Sequence, residues 1–251
     1  MLNRRSIFAA AGLAALIGFA APAQAWSWGF NEQVKGSGEV VSETRDLGNF
    51  DAIALSGSYK VLVRQGPTVK LEIKADKNLL PLIETRVAEG SKGRTLEIRT
   101  KKGFSFSSKT EPQITLVMPA LRSLAIAGSG DMRVEAMKTA DVSVSVSGSG
   151  DVELIDLSSD SLSVQISGSG DIKASGRTGS FSLSVAGSGD IDARGLQADE
   201  VRASIAGSGN ATVHAVNTLK ISIAGSGDIA YLGSPKVSSS VAGRGAITKL
   251  N

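Results

Sequence analysis

A chain of 251 residues with no cysteine and a single histidine has no disulfide framework, Cys-ligated metal centre or thiol nucleophile, so packing and backbone pairing must hold it together. It is 41% hydrophobic and 20% charged but only 4% aromatic, with 29 glycines. The formal charge of +3 falls to +1 once Arg4 and Arg5 are set aside with the leader described next, leaving 25 Lys and Arg against 24 Asp and Glu; bulk attraction to nucleic acid is not indicated.

Residues 1–25 have the layout of a cleavable signal peptide: a basic start, an apolar run from Ile7 to Ala21 and the small-residue ending Ala23-Gln24-Ala25. The apolar run falls short of the ~20 residues that span a bilayer. Arg4-Arg5 followed by Ser6-Ile7-Phe8 resembles a twin-arginine signal. Asn3 before the pair and the lack of a basic residue just after Phe8 leave the general secretory route open. The expected mature chain starts at Trp26, has no membrane span, and resides in the periplasm, at the cell surface or outside the cell.

Residues 26–44 read as an N-terminal tail or linker, with Trp26, Trp28 and Phe30 near its start. Residues 45–120 read as an irregular β-rich section, with strand alternation at Tyr59–Arg64, Val69–Lys74, Thr95–Arg99 and Gln113–Val117. Asp76–Glu84 is the one helical turn expected, limited by Pro81. This section is expected to continue into, or pack against, the repeats that follow.

Residues 121–251 are repetitive. Gly-Ser-Gly-Asp recurs at 128, 148, 168, 187 and 225, with Gly-Ser-Gly-Asn at 207 and Gly-Arg-Gly-Ala at 243, so starts are 18–20 residues apart. A near-constant period of this size marks a solenoid whose coils bury their apolar faces only against neighbours. Alternation ahead of each tetrapeptide, as at Val144/Val146 and Val164/Ile166, and after it, as at Val152/Leu154, gives two strands per coil meeting at a Gly-Ser-Gly corner. The reading is all-β, a parallel β-helix in which each chain passage forms one coil. Arg244 and Lys249 put charge on its last edge, and open solenoid edges make self-association an expectation.

The run Arg45-Asp46-Leu47-Gly48-Asn49-Phe50-Asp51-Ala52-Ile53, then Ser56-Gly57, Val61, Gln65-Gly66 and Leu96-Glu97-Ile98, followed by serial Gly-Ser-Gly-Asp corners, resembles the DUF2807 family, the putative auto-transporter adhesin head GIN domain. The resemblance covers roughly residues 45–230. It implies a right-handed parallel β-helix in an exported bacterial protein and an adhesin-like role, and it carries over no catalytic residue. There is no C-terminal run of long amphipathic strands of the kind that forms a translocation barrel.

The one repeated ionisable feature is the stripe Asp131, Asp151, Asp171, Asp190, Asn210 and Asp228. Charges about 4.8 Å apart repel by roughly 1 kcal/mol in water, so the stripe needs compensation. Hydrogen bonds to each residue's own turn amides are preferred over calcium, because one Asp corner per 18–20 residues is too sparse for a stacked-turn calcium repeat. Asp151/Glu153 and Asp190/Asp192 each share a strand face, with no evident base or arginine positioned beside them; His214 reads as a surface or turn residue. No catalytic, cofactor or metal-binding residue is assigned. The candidate contact loop is Lys101, Lys102, Phe104, Phe106 and Lys109, directed at an anionic surface or partner, unless its Phe residues cover the solenoid's open end. The expected function is a non-enzymatic envelope or surface binding module whose ligand class includes glycans. The alternatives are a carbohydrate-active enzyme on the same scaffold and a calcium-stabilised repeat.

Overall fold

The computed structural model describes residues 31–90 and 93–251; the leader, its cleavage site and the aromatic cluster at 26–30 lie outside the described residues. The architecture is all-β, 70% strand and 1% helix. In chain order the first strands are β1 (Glu32–Lys35), β2 (Val40–Arg45), β3 (Ala52–Ser56), β4 (Lys60–Gln65), β5 (Lys70–Asp76), β6 (Ile83–Gly90), β7 (Gly93–Thr100), β8 (Phe104–Ser107) and β9 (Gln113–Met118). The repeats supply β10 (Ser123–Gly128), β11 (Asp131–Glu135), β12 (Asp141–Gly148), β13 (Val152–Gly168), β14 (Ile172–Gly187), β15 (Ile191–Gly207), β16 (Ala211–Gly225), β17 (Ile229–Leu232), β18 (Lys236–Gly243) and β19 (Ile247–Lys249).

Period-two alternation turns every second side chain inward, and parallel in-register pairing stacks equivalent positions. Ile126, Val146, Ile166, Val185, Ile205 and Ile223 form one continuous inner row, each no more than 2% exposed. Met132, Val152, Ile172, Ile191, Ala211 and Ile229 form a row on the second face. Each buried aliphatic side chain contributes roughly 1.5–3 kcal/mol, which lets a cysteine-free chain form a stable solenoid.

The corner glycines have two separate reasons. Gly168 has φ +142°, where an L side chain is strained. Gly170 carries no such φ, but a Cβ on it would lie 2.2 Å from the Gly150 carbonyl oxygen of the preceding coil. The coils therefore touch backbone to backbone. This corner stays in register from Gly128 to Gly243, and the irregularities fall elsewhere, at Leu154/Leu157, Lys173/Ser175, Ala193/Gln197 and Ala198/Glu200. Variation in coil length is absorbed after the second strand.

The section 45–120 contributes coils of its own. β3 and β4 stack in parallel against β10 and β11, and β7 and β9 stack on the other side of β3 and β4. The spatial order thus departs from chain order. Antiparallel strands then close this end: β6 on β7, β5 on β9 and β2 on β5.

Two local expectations differ from the structure. The segment 26–44 holds β1 and most of β2 rather than a bare linker, because β2 finds an antiparallel partner in β5 and β1 a parallel one in β8. The helical turn shrinks to a 3-10 turn at Leu80–Leu82, with Pro81 in its first turn. Buried Asp76, 2% exposed, accepts hydrogen bonds from the Gly38 amide at 3.1 Å and the Ser108 hydroxyl at 2.5 Å, tying the β1–β8 pair to the main body. No helix among the described residues is long and apolar enough to cross a membrane.

Candidate functional site

The Asp stripe runs along the corner between the two faces, one residue per coil. The Asp151 carboxylate accepts from the Asp171 amide at 2.9 Å, Asp171 from Asp190 at 2.9 Å, Asp190 from Asn210 at 2.7 Å, and Asp228 from Ala246 at 2.7 Å. The amides belong to the next coil, not to each residue's own turn, because parallel stacking brings the following corner nearer than the residue's own backbone can fold back. Asn210 serves the same purpose without charge: its Oδ1 accepts from the Asp228 amide at 3.1 Å, and its Nδ2 donates to Asp190 at 3.1 Å. Among the described residues no group of three or more His, Cys, Asp or Glu side chains converges as a metal set.

Beside the stripe, the second face carries a groove of ≈ 450 Å³ crossing β9, β4, β11, β13 and β14. Five strands at about 4.8 Å spacing make it roughly 19 Å long. Asp131, Asp151, Glu153 and Asp171 line it together with Lys60, Arg133 and Lys173. Outward side chains in register on β11, β13 and β14 alternate in sign as Arg133, Glu153 and Lys173, and Asp192 on β15 continues the row. Contrary to the sequence reading, both acidic pairs have an arginine. Arg133 Nη1 donates to Glu153, and Arg194 Nε donates to Asp192 at 2.8 Å.

The ion pairs extend beyond the groove. Glu135 accepts from Arg133 Nε and Arg64 Nε, both at 2.9 Å, and these hydrogen bonds, first from Arg133 and then from Arg64, hold its carboxyl below the ordinary glutamate range. Glu111, 2.9 Å from Lys60 Nζ, pushes the lysine upward by hydrogen bonding and charge. Lys60, Arg133 and Lys173 were missed in the sequence. The last two stand one 20-residue period to either side of Glu153, a readable signal, whereas Lys60 joins only through long-range stacking of β4 on β11.

The loop Lys101, Lys102, Phe104, Phe106 and Lys109 is not part of the groove. Phe106 packs against the core, its ring 6.0 Å from that of Tyr59. Lys101 Nζ sits 5.6 Å from the Phe104 ring centroid, a cation–π distance, and Lys102 and Lys109 are exposed. His214 lies half-buried on β16, in register with Leu232.

Stacked parallel coils with a mixed-charge groove on one face define a β-solenoid. A family model described as putative auto-transporter adhesin, head GIN domain (DUF2807) matches residues 49–235, and the chain belongs to that family. A crystal structure of a putative adhesin from Bacteroides fragilis is 26% identical, with a TM-score of 0.78, covering 86% of this chain and 100% of the other. One from Parabacteroides distasonis described as a putative lipid binding protein is 30% identical, with a TM-score of 0.72, covering 88% and 100%. A putative adhesin from Parabacteroides merdae shares the fold at 24% identity and a TM-score of 0.69, covering 88% and 100%. No curated protein matches.

Proposed function

We propose that the chain is an exported, non-enzymatic surface-binding module whose groove on β9, β4, β11, β13 and β14 takes a neutral polyhydroxylated ligand, an oligosaccharide segment. The observation that carries this reading is the groove's mixed lining. An anionic ligand would face four carboxylates, and a cationic one would face three basic side chains. A neutral polyol meets donors and acceptors in alternation along roughly 19 Å, the length of a few sugar units. Membership in an adhesin family supports surface display, and the leader-like residues 1–25 support export.

The non-enzymatic part of the reading rests on how the acidic groups are committed. Asp151 and Asp171 each spend an oxygen on a backbone amide, and Glu153 accepts from Arg133. A general acid or nucleophile needs a carboxyl oxygen free to reach the reacting bond, and these oxygens are already engaged by backbone amides and an arginine. The same commitment supports a structural role for the stripe over a calcium-binding one.

The test is a glycan array followed by titration of the best hit. Retention of a neutral oligosaccharide, weakened at least about tenfold, or ~1.4 kcal/mol, by Arg133→Ala and unaffected by Ser184→Ala on the other face, is the expected result. No retention, or binding indifferent to Arg133, refutes the groove. Cleavage of the bound oligosaccharide moves the assignment to a carbohydrate-active enzyme.

A further inference from the structure

The two ends of the solenoid are finished differently. Antiparallel β6, β5 and β2 close the N-terminal end, and Arg45 donates to the Ile83 carbonyl at 2.5 Å and the Leu80 carbonyl at 3.0 Å, binding that closure together. At the other end β18 pairs with β16 and β19 with β17, and no other pairing among the described residues involves either strand. β18 is therefore an eight-residue edge with a row of N–H and C=O groups facing along the solenoid axis. Side chains closed off in earlier coils are open here. Leu219 and Ile223 are 0% and 1% exposed, while Val237 and Val241, stacked on them in register, are 42% and 43% exposed. Proteins blunt such edges with charges, prolines or bulges; here those devices stand at the margins, Pro235 just before β18 and Lys236 at its start, Arg244 just past its end and Lys249 on β19, while Val237–Gly243 has neither charge nor proline and pairs without a register shift.

We infer that this edge is a self-association surface occupied by a second copy of the chain, docked end to end about a twofold axis through Ser239 with the two β18 strands antiparallel. The strand is its own complement. Val237-Ser238-Ser239-Ser240-Val241 reads the same in both directions, so antiparallel pairing centred on Ser239 sets Val237 opposite Val241 of the second copy, twice, on the inward face. Ser238 meets Ser240 outside. An isologous contact requires this reciprocity, and the apposed valines continue the inner rows across the junction. Docking onto the opposite end of another copy would instead meet the edges of β6 and β2, which are blunted by Glu84, Arg86 and Glu89 and by Glu43 and Arg45.

The size of the surface sets the strength. A strand about 26 Å long and two sheets about 10 Å apart, with side chains on either side, present roughly 500 Å² per copy. The total of ~1,000 Å² is at the lower limit for a specific interface, so the dissociation constant falls in the roughly micromolar range. Lys236 of one copy comes within about two residues of Arg244 of the other, ~7 Å along the strand. Added salt screens this approach and tightens the dimer.

The test is sedimentation velocity on the full chain from about 1 to about 200 µM, bracketing that constant. A monomer–dimer equilibrium is expected, weakened at least about tenfold by Val241→Lys, whose side chain is exposed in the single copy and whose fold is checked by circular dichroism. The chain has no cysteine, so Ser239→Cys introduces its only thiol. The twofold places the two new Cβ atoms about 4.5–5.5 Å apart, close enough for oxidation to lock a covalent dimer after a small adjustment, whereas Ser184→Cys on the outer face stays monomeric. A monomer throughout the range, assembly beyond the dimer, a dimer indifferent to Val241→Lys, or one that Ser239→Cys does not lock each overturns the inference.

Discussion

Replacing Gly170 by alanine separates the two reasons a corner can demand glycine. Gly170 has no left-handed φ, yet the added Cβ would stand 2.2 Å from the Gly150 carbonyl oxygen and 2.9 Å from Val146 Cγ1. The first obstacle is backbone of the adjacent coil, so the two coils must part by about 1 Å. Overpacking of this kind costs about 1–3 kcal/mol. It also strains the amides of Ser169 and Gly170, which donate to the Gly148 carbonyl at 2.9 and 3.2 Å, each bond contributing ~1 kcal/mol. The sum is about 3–5 kcal/mol. Gly103 is the complementary case, with φ +86° and nothing within 4 Å of its added Cβ, so Gly103→Ala costs only ~1 kcal/mol of backbone strain. Urea unfolding followed by far-UV circular dichroism measures both. With a slope of about 3 kcal/mol/M, Gly170→Ala lowers the midpoint by about 1 M or more, and Gly103→Ala by a few tenths. Equal losses for the two variants would refute coil-to-coil contact as the reason for the second glycine.

At the stripe, Asp171→Asn keeps the acceptor for the Asp190 amide, as Asn210 does naturally, and stays within a few tenths of a kcal/mol of the parent in the same assay, whereas Asp171→Ala loses about 1 kcal/mol; equal losses would contradict the acceptor role. Asp76→Ala removes the buried acceptor of Gly38 and Ser108, costs about 2–3 kcal/mol, and speeds hydrogen exchange at the Gly36 amide, which donates to the Ser107 carbonyl across the β1–β8 strap; unchanged exchange would mean the strap is held elsewhere. Burial pushes the Tyr59 phenol above its usual value of 10, with the Thr100 hydrogen bond pulling partly the other way. The folded chain then holds a proton that the unfolded chain releases, so stability declines as pH rises above about 10. Tyr59→Phe flattens that decline in a pH series of urea midpoints, and an unaltered decline would assign it to another group.

The repeats were legible because two signals coincide there: period-two alternation marks inward residues such as Val144, Val164 and Leu183, and the tetrapeptide fixes where each strand turns. The N-terminal coils were not, because nothing local states that β7 and β9 stack beyond β3 and β4, or that β5 and β6 run antiparallel to seal the end. Those choices are made by pairings across up to 53 residues, as between Lys60 and Gln113. The acceptor role of the Asp stripe was readable but not its direction, since a carboxylate's nearest amide in sequence is not its nearest in a stacked coil. The arginines beside Glu153 and Asp192 escaped notice for two different reasons: Arg133 is a full period away, and Arg194 curls back along its own strand.

The confinement of every register shift to the stretch after the second strand divides the coil into two measured sides and one compliant one. Coils of 18 to 20 residues keep the same glycine corner and the same faces, so the compliant side works as an expansion joint. A peptide spliced between Val216 and Asn217, both exposed at this corner, would project from the scaffold without disturbing the alignment of its walls. Equivalent splices in successive coils would stand about 4.8 Å apart, turning the chain into a molecular rack whose pitch is set by backbone pairing.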